Sequence, residues 1–414
     1  MRITVQKFGG TSVANLDCMC KVLDKNREIL STGCKLVVVL SAMAGETNRL
    51  LTLAGQWSDR PDPWELDALV ATGEQVSVTL YAMLLKDQGI RARSVLGHQA
   101  EILTDCSAGR ARILGINSSR MLELLNSHDV LVVAGFQGCD IRQRITTLGR
   151  GGSDTSAVAL AAALNAELCE IYTDVDGVYT TDPHVCPQAR KISRITYDEM
   201  LEMASMGAKV LQIRSVQFAK KYQVPVHVRS TFSNEPGTIV TKEEKGMEEA
   251  LVSSIAYDKD QARVTLMDVY DEPGVAATIF SPISDADIVV DMIVQNPSRE
   301  ARTDMTFTVP RGDLEPTLKI LNRIKTEIGA PAVVHDAQVS KVSIIGVGMR
   351  NHSGVAAMAF TALKHEGINI LMISTSEIKI SILLDEKYTE LAVRTLHEAF
   401  GLDKPEPTPK SDQS

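Results

Sequence analysis

Two hydrophobic rhythms alternate through the first half of the chain. Short apolar runs of strand length occur at Ile3–Phe8, Leu36–Leu40, Ala92–Leu96, Val130–Phe136, Leu168–Thr173 and Val224–Val228. The unbroken run LVVVL at Leu36–Leu40 suits a strand buried on both faces. Between the runs, segments of helical period predict helices over about 14–30, from Asp62-Pro63 to about 86, and over 155–165, 197–205 and 209–222. Asp62 is placed to cap its helix, with Pro63 at the first position. Strands alternating with helices predict a mainly parallel sheet covered on both faces. Gly138–Thr146 reads as a polar hairpin, and 230–249, with Asn234-Glu-Pro-Gly237 and a charged run at 242–245, as a linker.

Past the linker a repeat appears. Gly274-Val275-Ala276-Ala277, Phe280, Ile288 and Met292-Ile293 recur as Gly354-Val355-Ala356-Ala357, Phe360, Ile368 and Met372-Ile373, about 80 residues on. Each copy follows a strand (Arg263–Val269; Lys341–Val347) and precedes two strands and a helix, the βαββαβ order of a ferredoxin-like module. The polar Gln295-Asn296 and Asn369 at matching strand ends suit small-molecule binding between modules. The proline-containing end, 403–414, reads as a disordered tail.

Composition narrows the picture. At 414 residues the chain expects two or three domains. A net charge of −9 without a Lys/Arg tract argues against nucleic-acid or anionic-membrane partners. Seven cysteines with no CxxC pair fit a reducing compartment, and the apolar runs are broken before membrane length, so a cytoplasmic protein is expected.

The chemistry concentrates in Thr146–Leu164, TTLGRGGSDTSAVALAAAL. Gly149, Gly151 and Gly152 allow a tight turn and close approach of peptide N–H groups, and Arg150 offers a planar fork for a carboxylate or phosphate. Ser153 or Asp154 is placed to cap the helix that follows, whose N-terminus favours anions. The opening repeats that logic: a strand ending at Lys7-Phe8, then Gly9-Gly10, then a helix. Ser41 follows the second strand, and Glu74 lies in an otherwise apolar helix. The acids around Asp174, Asp176 and Asp182 suit Mg²⁺ or a ribose, and equally suit plain turns. The phosphate motif GxxxxGK[ST] and the protein-kinase GxGxxG set are absent from the sequence.

Taken together, these residues resemble the monofunctional aspartate kinases. Lys7-Phe8-Gly9-Gly10-Thr11-Ser12 resembles that family's KFGGTS signature, and Ser41-Ala42-Met43 its second loop. Thr147–Thr155 resembles its substrate loop, Thr173–Tyr179 its nucleotide loop, and the C-terminal repeat its paired ACT modules. The resemblance spans nearly the whole chain. It implies an α/β amino-acid-kinase three-layer sandwich at 1–230, a linker at 231–250, and two ferredoxin-like ACT domains at 251–338 and 339–402. Residues 251–257 are then expected to pair with the second ACT unit.

What the resemblance implies chemically is transfer of the ATP γ-phosphate to the side-chain carboxylate of L-aspartate, the first step towards lysine, threonine and methionine. Lys7, Arg150 and Asp154 would be catalytic; Ser41, Thr47, Glu74, Arg150, Gly151 and Ser153 would hold aspartate. ATP with Mg²⁺ would be held by Lys7, Phe8, Gly9, Gly10, Thr173, Asp174, Tyr179 and Lys209, the metal ligands themselves staying unassigned. His184 stands where many relatives carry arginine, so it is left without a role. Lysine and/or threonine would act as effectors at Asp271, Gly274, Ala276, Asp291, Gln295 and Asn296, and at Asn369, Ile370, Thr375 and Glu377. A homo-oligomer formed through the ACT domains is implied, and Met247 stands where some relatives start a shorter regulatory chain. Two rival readings stay open on sequence: another acceptor, or a non-catalytic amino-acid sensor.

Overall fold

The computed structural model describes residues 1–206, 210–243, 251–296, 301–352 and 354–404. They form two compact units, one of Met1–Val178 with Lys191–Met247, the other of Tyr179–Arg190 with Glu248–Ser414.

The first unit opens with β1 (Ile3–Phe8), α1 (Leu16–Leu30), β2 (Lys35–Leu40), α2 (Glu46–Trp57), α3 (Pro63–Val70) and α4 (Thr72–Asp87). It continues through β3 (Ala92–Val95), β4 (Ile102–Thr104), β5 (Ile113–Ile116), α5 (Ser118–Ser127), β6 (Val130–Ala134), β7 (Gln137–Cys139) and β8 (Ile145–Thr147). It closes with α6 (Gly152–Ala163), β9 (Leu168–Thr173), β10 (Arg194–Thr196), α7 (Tyr197–Ser205), α8 (Ile213–Tyr222), β11 (Val226–Ser230) and β12 (Thr238–Thr241). The main sheet runs β10-β12-β11-β9-β1-β2-β6-β3, parallel everywhere except between β11 and β12. The predicted parallel sheet is therefore present. The polar hairpin is β7 and β8, joined to β4 and β5 in a second, four-stranded sheet.

The register fixes where chemistry can occur. Phe8 lies opposite Leu40 on one side and Tyr172 on the other, so the loops leaving β1, β2 and β9 emerge side by side at one sheet edge. Such carboxyl edges of parallel sheets collect ligands. Phe8 and Tyr172 stack with ring centroids 4.6 Å apart and join Val22, Leu36, Leu40, Tyr81 and Leu85 in the core. Pro63–Asp87 is long and apolar enough to cross a membrane by composition, yet half of it is buried in the unit and it carries the buried Asp67 and Glu74.

Three sequence expectations change. Ser153 and Asp154 do not cap α6; left-handed Gly151 (φ +68°) precedes it and both residues lie in its first turn. The helix expected over 209–222 begins at Ile213, where the Gln212 side chain accepts from the Arg214 and Ser215 N–H groups. The presumed linker contains β12, which pairs with β10 and β11.

The second unit holds β13 (Ser254–Tyr270), α9 (Val275–Asp285), β14 (Ile293–Gln295), β15 (Arg302–Val309), α10 (Leu314–Ile324) and β16 (Ala332–Ile345). After these come α11 (Val355–His365), β17 (Met372–Thr375), β18 (Lys379–Asp385) and α12 (Thr389–Ala399). One antiparallel sheet runs β14-β15-β13-β16-β18-β17. Ser254–Asp258 lies opposite Lys341–Ile345, so the first stretch of β13 completes the module built from α11, β17, β18 and α12. The repeat is visible in detail: Gly274 (φ +102°) and Gly354 (φ +111°) start equivalent helices from a conformation that favours glycine.

Candidate functional site

Lys7 occupies the penultimate position of β1, and its ammonium lies 2.7 Å from Asp154 Oδ1 on the first turn of α6, with both side chains only 12% exposed. The carboxylate orients the ammonium, whose remaining protons can face a ligand. Gly9 follows directly; a Cβ there would lie 3.5 Å from the ammonium. At Gly10 a Cβ would lie 2.8 Å from the Ala42 carbonyl oxygen, which explains the second glycine.

Ser41 and Ser153 meet at 2.9 Å between their hydroxyl oxygens. Next to them, Glu74 on α4 is 3% exposed. Its Oε1 accepts the Ala42 N–H at 2.9 Å, while Oε2 has no partner among the described residues. Burial pushes this carboxyl up to about 7. A buried carboxylate with one open oxygen is matched to a cation.

The loop at Thr147–Thr155 is clamped from two sides by residues that sequence reading missed. Asp67 of α3 accepts the Thr147 N–H (2.9 Å), the Thr147 hydroxyl (2.7 Å) and the Gly109 N–H (2.9 Å). Arg214 of α8 donates to the Leu148 and Ala111 carbonyls at 2.6 and 2.8 Å. Ser77, one turn beyond Glu74, donates to the Ser41 carbonyl at 2.8 Å. Only the three-residue spacing of Ser77 from Glu74 was a signal; Asp67 reads in sequence as a solvated helix residue. Arg150 is exposed and has no partner among the described residues. Gly152 N–H is taken by the Gly149 carbonyl at 3.0 Å, so it is not available to an anion as expected. Thr47 sits partly buried in the first turn of α2.

In the stretch expected to hold the nucleotide, Thr173 ends β9 and donates to the exposed Asp174 at 3.0 Å. Asp176 pairs with Lys191 at 3.3 Å. Tyr179 belongs to the second unit, and Lys209 lies outside the described residues, as does Met247. Among the described residues no group of three His, Cys, Asp or Glu side chains converges as a metal site.

In the second unit, Gln295 reaches Asp271 at 3.4 Å, and Asp291 is ion-paired with the buried Lys341. Asn296, Asn369, Thr375 and Glu377 are exposed and Ile370 is half-buried; Gly274 and Ala276 open α9. β14 and β17 are the two edge strands of the sheet.

Residues 2–230 match the amino acid kinase family, and residues 263–328 and 342–400 match ACT domains. An aspartate kinase of Pseudomonas putida is 56% identical over 406 residues, covering 98% of this chain and 99% of that protein. Among solved structures, E. coli aspartokinase III in complex with aspartate and ADP (R-state) is similar at a TM-score of 0.77 and 28% identity, covering 96% and 99% of the two chains. The same E. coli enzyme in complex with lysine and aspartate (T-state) matches at 0.76, with the same identity and coverage.

Proposed function

From the premise that this chain belongs to the amino acid kinase family and is an aspartate kinase with two ACT domains, we propose how its residues divide the work. The enzyme phosphorylates aspartate at the expense of ATP. In our reading Glu74 receives the α-ammonium of aspartate, Arg150 its α-carboxylate, and Ser41, Thr47, Gly151 and Ser153 complete the acceptor pocket. The observation that carries this reading is the buried Glu74, one oxygen held by Ala42 and the other unpartnered.

The acceptor carboxylate, with an ordinary pKa near 4, is ionised at neutral pH, so no general base is needed. The obstacle is repulsion. Two unit charges about 4 Å apart repel by roughly 4 kcal/mol at an effective dielectric of about 20. Lys7 would offset this at the transferring phosphoryl group, steered by Asp154 2.7 Å away. Phe8, Gly9 and Gly10 bring the backbone close to the phosphates, and Thr173, Asp174, Tyr179 and Lys209 serve the nucleotide. The N–H groups of Gly151, Ser153 and Asp154 at the start of α6 add positive potential. Mg²⁺ bound with ATP neutralises phosphate charge. It would take one or two carboxylates, with phosphates and water filling the rest; exposed Asp174 would suit that role, with Asp154 helping to organise the site from beside Lys7.

Regulation by lysine and/or threonine at the ACT unit belongs to the same proposal, supported by the duplicated module and by the lysine complex of E. coli aspartokinase III. The edge strands β14 and β17, with Ile293 51% and Ile373 41% exposed, suit side-by-side pairing with a second copy. A catalytic domain over 1–230 that also takes in β12, ACT domains over 251–338 and 339–402 with Ser254–Asp258 completing the second, and a cytoplasmic setting complete the reading.

The test is aspartyl-hydroxamate formation from ATP, Mg²⁺ and L-aspartate, with lysine, threonine, both or neither. Activity suppressed by either or both supports the full proposal; activity indifferent to both removes the regulatory half. Failure with aspartate refutes the assignment of the pocket.

A further inference from the structure

Residues Tyr179–Arg190 lie inside the stretch that matches the amino acid kinase family, yet they pack as part of the second unit. The handover is abrupt. Val178 N–H is still bonded to Thr238 of the first unit at 2.8 Å, while two residues later the Thr180 carbonyl accepts the Ile255 N–H of β13 at 2.7 Å. The segment closes on itself at its base, where Thr180 N–H donates to the Arg190 carbonyl at 2.8 Å and Arg190 N–H to Thr180 Oγ1 at 2.9 Å.

Two side chains of the ACT unit hold it there. His397 of α12, 1% exposed, lies 2.9 Å from Thr180 Oγ1 through its Nε2. Tyr257 of β13 donates to Asp182 Oδ2 at 3.0 Å. Asp182 in turn shapes the turn beyond it, its Oδ1 accepting the His184 N–H and its carbonyl the Val185 and Cys186 N–H groups. Val185 is buried among Val252, Ile255, Val342 and Ile344. Burial holds the His397 imidazole below its usual pKa, which keeps it neutral and able to accept the Thr180 hydroxyl proton.

We propose that His397 and Tyr257 are positioning residues for the nucleotide: through Thr180 and Asp182 they fix the far end of the loop that carries Asp174 and Tyr179. Neither touches ATP. The inference rests on the assignment of Thr173–Tyr179 to the nucleotide. Loss of either anchor is then felt at Tyr179, with the aspartate pocket of Glu74 and Arg150 unaffected.

The experiment uses the full-length enzyme with the hydroxamate assay, calorimetric titration of ADP with Mg²⁺, and thermal unfolding. Tyr257→Phe and His397→Ala are each expected to raise the ATP KM and the ADP Kd by about two- to tenfold, the equivalent of one hydrogen bond. Aspartate KM should change less than about twofold, and His397→Gln, which keeps a polar atom near the Nε2 position, should restore most of the loss. An unchanged ATP KM in both variants overturns the proposal. So does a parallel rise of both KM values with loss of thermal stability, which is the mark of a merely structural role. Tyr179→Ala separates the two layers of inference. If that variant weakens ATP while the ACT variants do not, positioning fails alone; if it leaves ATP binding unchanged, the nucleotide-loop assignment falls and positioning with it.

Discussion

Replacing Glu74 with glutamine separates what a buried carboxylate does for aspartate from what it does to the fold. Burial raises this carboxyl from 4.5 to about 7, so the folded protein holds its proton more tightly than the unfolded chain does. Between those two values the native state binds more protons, and stability therefore falls as pH rises. A rise of about 2.5 in pKa corresponds to about 3 kcal/mol, lost progressively up to about pH 7 and constant above it. Glu74→Gln has no proton to lose. Its stability relative to the parent should be independent of pH below about 4, climb by about 3 kcal/mol through pH 4–7, and then level off.

The pH dependence of this difference is the clean quantity. Any fixed effect of the amide, including its nitrogen beside the unpartnered Oε2 position, is the same at every pH. Thermal unfolding of the two ligand-free proteins from pH 4 to 8.5 measures it, and the gap in Tm should widen by roughly 6–12 °C at 2–4 °C per kcal/mol. In the same variant aspartate KM should rise about 10- to 100-fold at pH 8, since a hydrogen bond to a charged group contributes about 1.5–3 kcal/mol. The parent's aspartate KM should rise as pH falls below about 7, while the variant's should stay flat. A Tm gap that does not vary with pH would refute the buried-charge argument, and an unchanged aspartate KM would refute the ammonium contact.

Lys7→Ala should lower kcat by about 10²- to 10³-fold, with both KM values within a few-fold, because its ammonium acts on charge that develops in transfer; unchanged turnover would remove Lys7 from the mechanism. Arg150→Lys should raise aspartate KM about tenfold at constant ATP KM, as the planar fork is lost; steady-state kinetics with a full charge but no effect would place Arg150 outside the pocket. Asp67→Asn, which cannot accept from Thr147 N–H, Thr147 Oγ1 and Gly109 N–H at full strength, should lower stability by about 1–3 kcal/mol and raise aspartate KM more than ATP KM. Equal stability by urea unfolding would show that the clamp on the loop is dispensable.

Much of this molecule was legible before any coordinates. Apolar runs such as Leu36–Leu40 marked central parallel strands because a strand covered on both faces favours apolar side chains, while buried Gln6 of β1 and Glu170 of β9 are accommodated by bonding each other. The glycines at 10, 151 and 274 marked backbone that bends or approaches too closely for a Cβ. The 80-residue repeat gave two modules, each with its own core. Lys7, Asp154, Ser41 and Glu74 were all chosen from sequence, and they do gather at one sheet edge. What local pattern could not show is anything that depends on distant partners. β12 lies in a stretch of turn residues and exists because β10 and β11 offer it a ladder. Asp67 reads as a solvated helix residue until 80 positions later Thr147 is brought against it. Tyr179–Arg190 continues a kinase loop in sequence, yet Ile255, Tyr257 and His397 claim it for the other unit. Sequence alone determined most of the strands and helices and the glycine turns between them, because those follow from periodicity and backbone sterics. Only the tertiary structure decided which buried charge is matched, which is left open and which unit claims Tyr179–Arg190, because these depend on what burial brings together from far apart in the chain.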